Sequence, residues 1–349
     1  FFFKQKTAYE ILTCDWSSDV CSSDLIVRLD FETRSTVDLR KTGVYPYAEH
    51  HLTDIWCMAY AFDDEEPLIW RPGELVDQRL ADHITSGGEL HAWNAQFERV
   101  MWRIMVSRYG WPEPAREQWH CSMALAAGYG LPLSLDQAGI ALNVNAKKDR
   151  EGHDLMMRMC RPRGWNEDGT PTWWDVPDRI HRLCEYCKQD VRTERDIANL
   201  LGRMSESERR VWLLDQLIND RGVMLDRGFV AAAQDLTLAA LQRYDVELQG
   251  ITEGRVCVSK PATMTRWLNE HGMNAEGVAK AHVAAMLERP SSDLVRRVLE
   301  IRQESSQSST AKFDTMLEYC ADDGRMHGML QYHGAHTGRW AGRGVQPQN

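Results

Sequence analysis

Residues 26–33 read Ile-Val-Arg-Leu-Asp-Phe-Glu-Thr, a short apolar run of the kind that forms a buried strand. Successive side chains of a strand alternate between its faces, so Asp30 and Glu32 share one face while Phe31 enters the core. A chain built on this strand folds a sheet around it and holds two carboxylates side by side. Further strands are predicted at Asp54–Phe62 and Pro67–Arg71, with polar turns between them. Helical spacing follows from Val76 to Ile84. A short strand, Glu89–Trp93, leads into a helix over Ala95–Arg108. Strands first, then strands interleaved with helices, predict an α/β fold, a mixed sheet with flanking helices. More helices are expected at Ser122–Gly128, Ser134–Leu142 and Asp178–Met204.

Ser205-Glu206-Ser207-Glu208 has the spacing of a capping box, and it opens a helix to about Asp220. A domain boundary is placed just before it, giving one domain over 26–204 and another over 205–349. With 349 residues, each can bury its own core. The second domain reads as helical to about Cys320, with a break at Lys260–Ala262. The last segment, Gly324–Asn349, is Gly-rich and strand-like, then irregular. It carries Arg325, Arg339 and Arg343 and no acidic residue. Residues 1–25 show no helical or strand period and look like translated sequencing-adapter read-through, a natural disordered tail being the alternative. They are left out of the fold argument.

No run of about 18 apolar residues occurs. The nine cysteines are scattered and no secretory signal precedes them, so a reducing, cytoplasmic setting and a monomer are expected. A net charge of −10 argues against a protein that coats nucleic acid non-specifically, but not against a local grip.

The carboxylates carry the chemistry. Oxygen-only ligation by Asp30 and Glu32 suits Mg²⁺ or Mn²⁺, and two such ions about 3.5–4 Å apart can hydrolyse a phosphodiester. Alone the pair is weak, because Asp63/Glu65, Asp64/Glu66 and Asp245/Glu247 repeat the spacing. Asn94-Ala95-Gln96-Phe97-Glu98 marks a strand-to-helix junction, where Asn94 can cap the helix and Glu98 lies in its first turn. Tyr186 and Asp190, four apart on a helix, stack on one face, but Tyr60/Asp64 and Tyr319/Asp323 match that spacing too. Each motif taken singly has an ordinary surface reading.

Their order is more informative. A strand D-x-E, a junction N-x-x-F-E and a helical Y-x-x-x-D resemble the three exonuclease motifs of the DEDD superfamily. The proofreading domain of family A DNA polymerases is the nearest form. The intervening CSMALAAGYGLPLSLDQAGIALN resembles that family's helical segment between its second and third motifs. The resemblance implies a ribonuclease H-like domain in which Asp30, Glu32, Glu98 and Asp190 bind two Mg²⁺ or Mn²⁺ ions. Tyr186 would position the attacking water, and Asn94 and Phe97 would contact the terminal nucleotides. The family usually has Asp where this chain has Glu98. The extra methylene can move a ligand by about 1 Å, a displacement able to cost about a hundredfold in rate.

GRMHGMLQYHGAHTGRWAGRGVQPQN resembles the stretch where the thumb of these polymerases enters the palm, and SSQSSTAKF resembles the thumb's DNA-tracking helix. By that resemblance Arg339 reaches the minor groove, and Gln348 and Asn349 contact the primer–template duplex. The polymerase's own catalytic carboxylates would lie downstream, so the chain reads as a truncated exonuclease, thumb and start of palm. Two other readings stay open: a stand-alone DEDD ribonuclease, and a DNA-binding scaffold whose exonuclease has decayed. Cys184-x-x-Cys187 is expected to pack in the core rather than bind zinc. Trp173-Trp174 is expected to pack as well, and His333 and His336 lack metal-ligand partners at a convincing spacing.

Overall fold

The computed structural model describes residues 25–144, 149–306, 312–335 and 337–347. Nearly all of the 1–25 segment, part of SSQSSTAKF, His336, Gln348 and Asn349 lie outside the described residues. Two compact units are present, and the division between them falls inside the helix Glu206–Arg221. The first unit contains residues up to Asp38, Tyr47–Ile218 and Leu330–Ala341.

Its centre is a five-stranded mixed sheet of order β3-β2-β1-β4-β5. The strands are β1 (Ile26–Arg34), β2 (Asp54–Phe62), β3 (Leu68–Trp70), β4 (Glu89–Ala92) and β5 (Trp119–Cys121). β1 runs antiparallel to β2 and parallel to β4, and β4 runs parallel to β5. Helices α1 (Gln78–Thr85), α2 (Gln96–Tyr109), α3 (Ser122–Gly128), α4 (Leu135–Ala141), α5 (Arg150–Met159) and α6 (Pro177–Leu201) flank the sheet. The mixed α/β architecture expected from the sequence is therefore present. β5 and α5 are not among the elements expected from the sequence, although α5 is amphipathic. Trp119–Cys121 is only three residues long and becomes a strand by pairing with β4.

Two cores cover the two faces of the sheet. On one, Phe31 packs against Trp102 of α2 with ring centroids 5.7 Å apart, and Trp111 and Trp119 complete the aromatic cluster. On the other, Cys57, Ala59 and Ala61 of β2 meet Ile180, Leu183, Cys184, Cys187 and Val191 of α6. The Cys184/Cys187 pair is thus part of this core, and Trp173 and Trp174 pack against the same cluster. The small residues of β2 let α6 lie close to the sheet, and that approach brings α6 to the carboxylate face of β1.

Two local expectations change. Asn94 does not cap α2: the N-cap is Ala95, which makes no side-chain cap bond. Asn94 instead takes a left-handed conformation (φ 69°), which Asn tolerates better than most residues, and its carbonyl accepts from the Phe97 N–H. In the capping box, Ser205 Oγ accepts from the Glu208 N–H at 3.3 Å. The Glu208 carboxylate accepts from the Tyr332 hydroxyl.

The second unit comprises Leu39–Pro46, Asn219–Met329 and the residues from Gly342 onward. It is mainly helical: α8 (Arg227–Ile251), α9 (Pro261–Glu270), α10 (Lys280–Glu288), α11 (Asp293–Ser305) and α12 (Lys312–Glu318) follow α7 (Glu206–Arg221). Trp267, Leu268, Val295, Val298 and Leu299 lie at the centre of its main core. The break predicted at Lys260–Ala262 is a longer irregular stretch after α8, and Pro261 is the first residue of α9, where its missing N–H costs nothing. Among the described residues no helix is long and apolar enough to cross a membrane.

Candidate active site

Asp30 and Glu32 leave β1 on the face covered by α6, opposite Phe31. Their Cα partners on β2 are Ala59 and Cys57, and a β-bulge follows at Glu32/Thr33. A bulge there re-aims the strand end at the point where its two carboxylates must converge. A part-buried contact helps tie the strand to α6: the Cys187 thiol lies 3.3 Å from Asp30 Oδ2 and 3.4 Å from its carbonyl oxygen. Ligand atoms of Asp30, Glu32 and Cys187 all lie within 4.8 Å of one another.

The third and fourth carboxylates arrive from two helices. Glu98, in the first turn of α2, is 3% exposed, and its Oε2 is buried without a hydrogen-bond partner. Asp190 sits one turn beyond Tyr186 on α6, and the Tyr186 hydroxyl stabilises its charge. Asp30 is the common neighbour. Glu32, Glu98 and Asp190 are each pushed well above the carboxylate range, first by burial and then by the charge of Asp30. Asp30 is itself pushed up to about 7 by burial, with the Cys187 thiol pulling it down and Glu194 raising it again. Burial and the charges of Asp190, Glu32 and Asp30 drive the Tyr186 phenol far upward, so it stays protonated throughout the physiological range. Asp30 thus lies within electrostatic reach of Glu32, Glu98, Asp190 and Tyr186.

Two buried carboxylates, Glu32 and Glu98, and two partly buried ones, Asp30 and Asp190, with so few donors cannot all be ionised unless positive charge joins them. The donor set is oxygen-rich and one buried oxygen lacks a partner, so these residues fit hard divalent cations. Asn94 and Phe97 are half-buried at the mouth of α2, next in sequence to Glu98. Arg339 is exposed on the C-terminal segment and takes no part in the cluster's interactions.

The sequence reading missed three supports of the site. Glu194 continues the Tyr186/Asp190 stripe by one more turn of α6; it is 2% exposed, pairs with buried Arg28 at 3.3 Å and accepts from the Ser122 hydroxyl. Arg28 lies two residues before Asp30 on the same face of β1 and also reaches Asn199 on α6, at 3.2 Å. Gly152 of α5 presses on Tyr186: a Cβ there would meet the ring's Cδ2 at 2.4 Å. Only the regular 186/190/194 spacing was visible in advance, and an unpartnered surface face has the same spacing.

No protein-family model matches the chain. A DNA polymerase of Bacillus phage SP02 is 35% identical over 340 residues, which cover 92% of this chain and 50% of that protein. Among solved structures, the POL domain of Pol1 from M. smegmatis, in complex with DNA primer-template and dNTP, aligns with 93% of this chain and 52% of its own, with a TM-score of 0.54. At 15% identity that likeness bears on the fold alone. The chain spans about half the length of each of these proteins. The chain is thus similar in sequence, along nearly its whole length, to a phage DNA polymerase, and it shares the fold of a Pol1 polymerase domain.

Proposed function

We propose that residues 26–204 are the 3′→5′ proofreading exonuclease of a DNA-directed DNA polymerase that acts in DNA replication. The observation that carries this reading is that Glu32, Glu98 and Asp190, brought by a strand and two helices, each feel the charge of Asp30, with Tyr186 under the influence of three of the four carboxylates. The mixed sheet with helices on both faces agrees with the ribonuclease H-like domain the motifs imply.

Asp30, Glu32, Glu98 and Asp190 would hold two Mg²⁺ or Mn²⁺ ions. When bound, such ions lower the pKa of water and neutralise charge on the attacking and leaving oxygens of a phosphodiester. The remaining work belongs to the chain. Tyr186 keeps its proton, so it acts as a hydrogen-bond donor that orients the attacking water, not as a phenolate base. Phe97 offers a ring on which the terminal base stacks, and the Asn94 amide can bond that nucleotide. Glu194 and Arg28 act behind these groups, fixing α6 against β1.

The chain from about residue 205 onward is proposed to be the polymerase thumb and the start of its palm. Arg339 would contact duplex DNA in the minor groove, with Gln348 and Asn349 against the primer–template. The test is release of nucleotides from 3′-labelled single-stranded DNA with Mg²⁺ or Mn²⁺, compared with Asp30→Ala and Asp190→Ala. Loss of release in both variants is expected, and undiminished activity in both would sink the proposal. Calorimetry showing intact DNA affinity and no divalent-metal binding would favour a non-catalytic scaffold.

A further inference from the structure

Besides the carboxylate cluster, one other group of metal-capable side chains occurs among the described residues: Glu89, His91 and His120. We propose that these three residues form a separate site for a transition-metal cation of the zinc class. The proposal does not depend on the exonuclease reading.

The sheet builds the site. His91 on β4 and His120 on β5 are register partners on adjacent parallel strands, so their imidazoles leave the same face about 4.8 Å apart. The rings stack with centroids 4.5 Å apart and planes within 9°. Glu89 lies two residues before His91 on β4 and so shares that face. Its carboxylate meets both rings through the same type of nitrogen: Glu89 Oε2 is 3.1 Å from His91 Nε2, and Oε1 is 3.9 Å from His120 Nε2. Tetrahedral bonds of about 2.0–2.1 Å set ligand atoms about 3.4 Å apart, so small side-chain rotations complete a three-ligand shell. Two imidazoles and a carboxylate suit Zn²⁺, whereas the oxygen-rich cluster suits Mg²⁺ or Mn²⁺.

The surroundings leave a fourth position. His91 and His120 line a cavity of about 420 Å³ that also receives Arg28, Asn199, Arg203 and Arg209. Two of these arginines are engaged elsewhere: Arg28 with Glu194 and Asn199, and Arg209 with the Glu117 carbonyl and the Trp212 ring. Arg203 does touch the site, 2.8 Å from Glu89 Oε1, but its side chain is 63% exposed. An exposed ion pair of this kind is weak, and a divalent cation displaces it. Arg203, once released from Glu89, then suits an anion or hydroxide as the fourth ligand. Arg28, tied to α6, stands between this site and Asp30 on the face of β1.

The test uses the full chain, stripped with chelator and titrated with zinc by calorimetry in excess Mg²⁺. One zinc per chain is expected, and it is retained in Asp30→Ala. Removing a second-sphere partner already costs 10–100-fold in metal affinity, so losing a ligand in His91→Ala or His120→Gln should cost at least about a hundredfold. Zinc binding unchanged in both histidine variants would overturn the proposal. A second measurement needs no variant: in the isotope-labelled chain, one equivalent of zinc should shift the imidazole signals of His91 and His120. Signals that ignore zinc, or that respond only to inorganic phosphate, would equally overturn it.

Discussion

Replacing Asp30 by asparagine should stabilise the metal-free protein while abolishing its chemistry. Burial is the main force holding the Asp30 carboxyl at about 7 instead of 3.8. A shift of about three units corresponds to about 4 kcal/mol between the two protonation states, at about 1.4 kcal/mol per unit. The sign follows from linkage. The folded chain holds this proton more tightly than the unfolded chain, so the group's contribution is fully present below about pH 4 and is lost as pH rises through about 7. Asparagine does not titrate, and its amide oxygen can still accept from the Cys187 thiol. At pH 8 in chelator, Asp30→Asn should therefore be more stable than the parent by up to about 4 kcal/mol, a difference that vanishes near pH 4. Glu32, Glu98 and Asp190 titrate with Asp30, so the measured midpoint belongs to the cluster and not to one residue. The assay is urea unfolding followed by the fluorescence of Trp102, Trp111 and Trp119. Added Mg²⁺ should stabilise the parent more than the variant. An Asp30→Asn protein that is less stable at pH 8 without metal, or a difference independent of pH, would refute the argument.

Glu98→Asp withdraws the carboxylate by about 1 Å and should slow nucleotide release by up to about a hundredfold, with single-strand affinity retained. A faster Glu98→Asp enzyme would show that this backbone tolerates the longer side chain without using it. Gly152→Ala places a methyl 2.4 Å from Tyr186 Cδ2, so the ring must shift. Turnover should fall about tenfold to a hundredfold with KM little changed, and an unchanged turnover would remove Tyr186 from the mechanism. Arg28→Met strands Glu194 in the interior and should cost about 3–5 kcal/mol in denaturant unfolding, most of it recovered in the Arg28→Met/Glu194→Leu double variant. Strictly additive costs would contradict the pairing.

Local patterning carries much of this protein's architecture. The strand at Asp54–Phe62 and the helix at Ser122–Gly128 fall where periodicity puts them, because long apolar stripes outweigh everything else over such lengths. The four carboxylates and Tyr186 proposed as the site are singled out in the sequence by their order on strand, junction and helix. The short strands β3 and β4 were legible too, but some conditional elements were not. Trp119–Cys121 is a strand only because β4 offers it a partner, and Asn94 yields its expected capping role to a turn that the junction imposes. What surrounds the carboxylates is decided only when α6 lies on the sheet. Cys187 touches Asp30 across 157 positions of sequence, and Glu194 finds Arg28 across a similar span. Glu98 is buried with an unpartnered oxygen beside Asp30, and nothing in a lone first-turn glutamate announces that. The pairing of β4 with β5 likewise sets His91 beside His120, although the two are far apart in the chain. Periodicity reports which face of an element is apolar. It is silent on which elements meet, and the charge state of these carboxylates depends on that meeting.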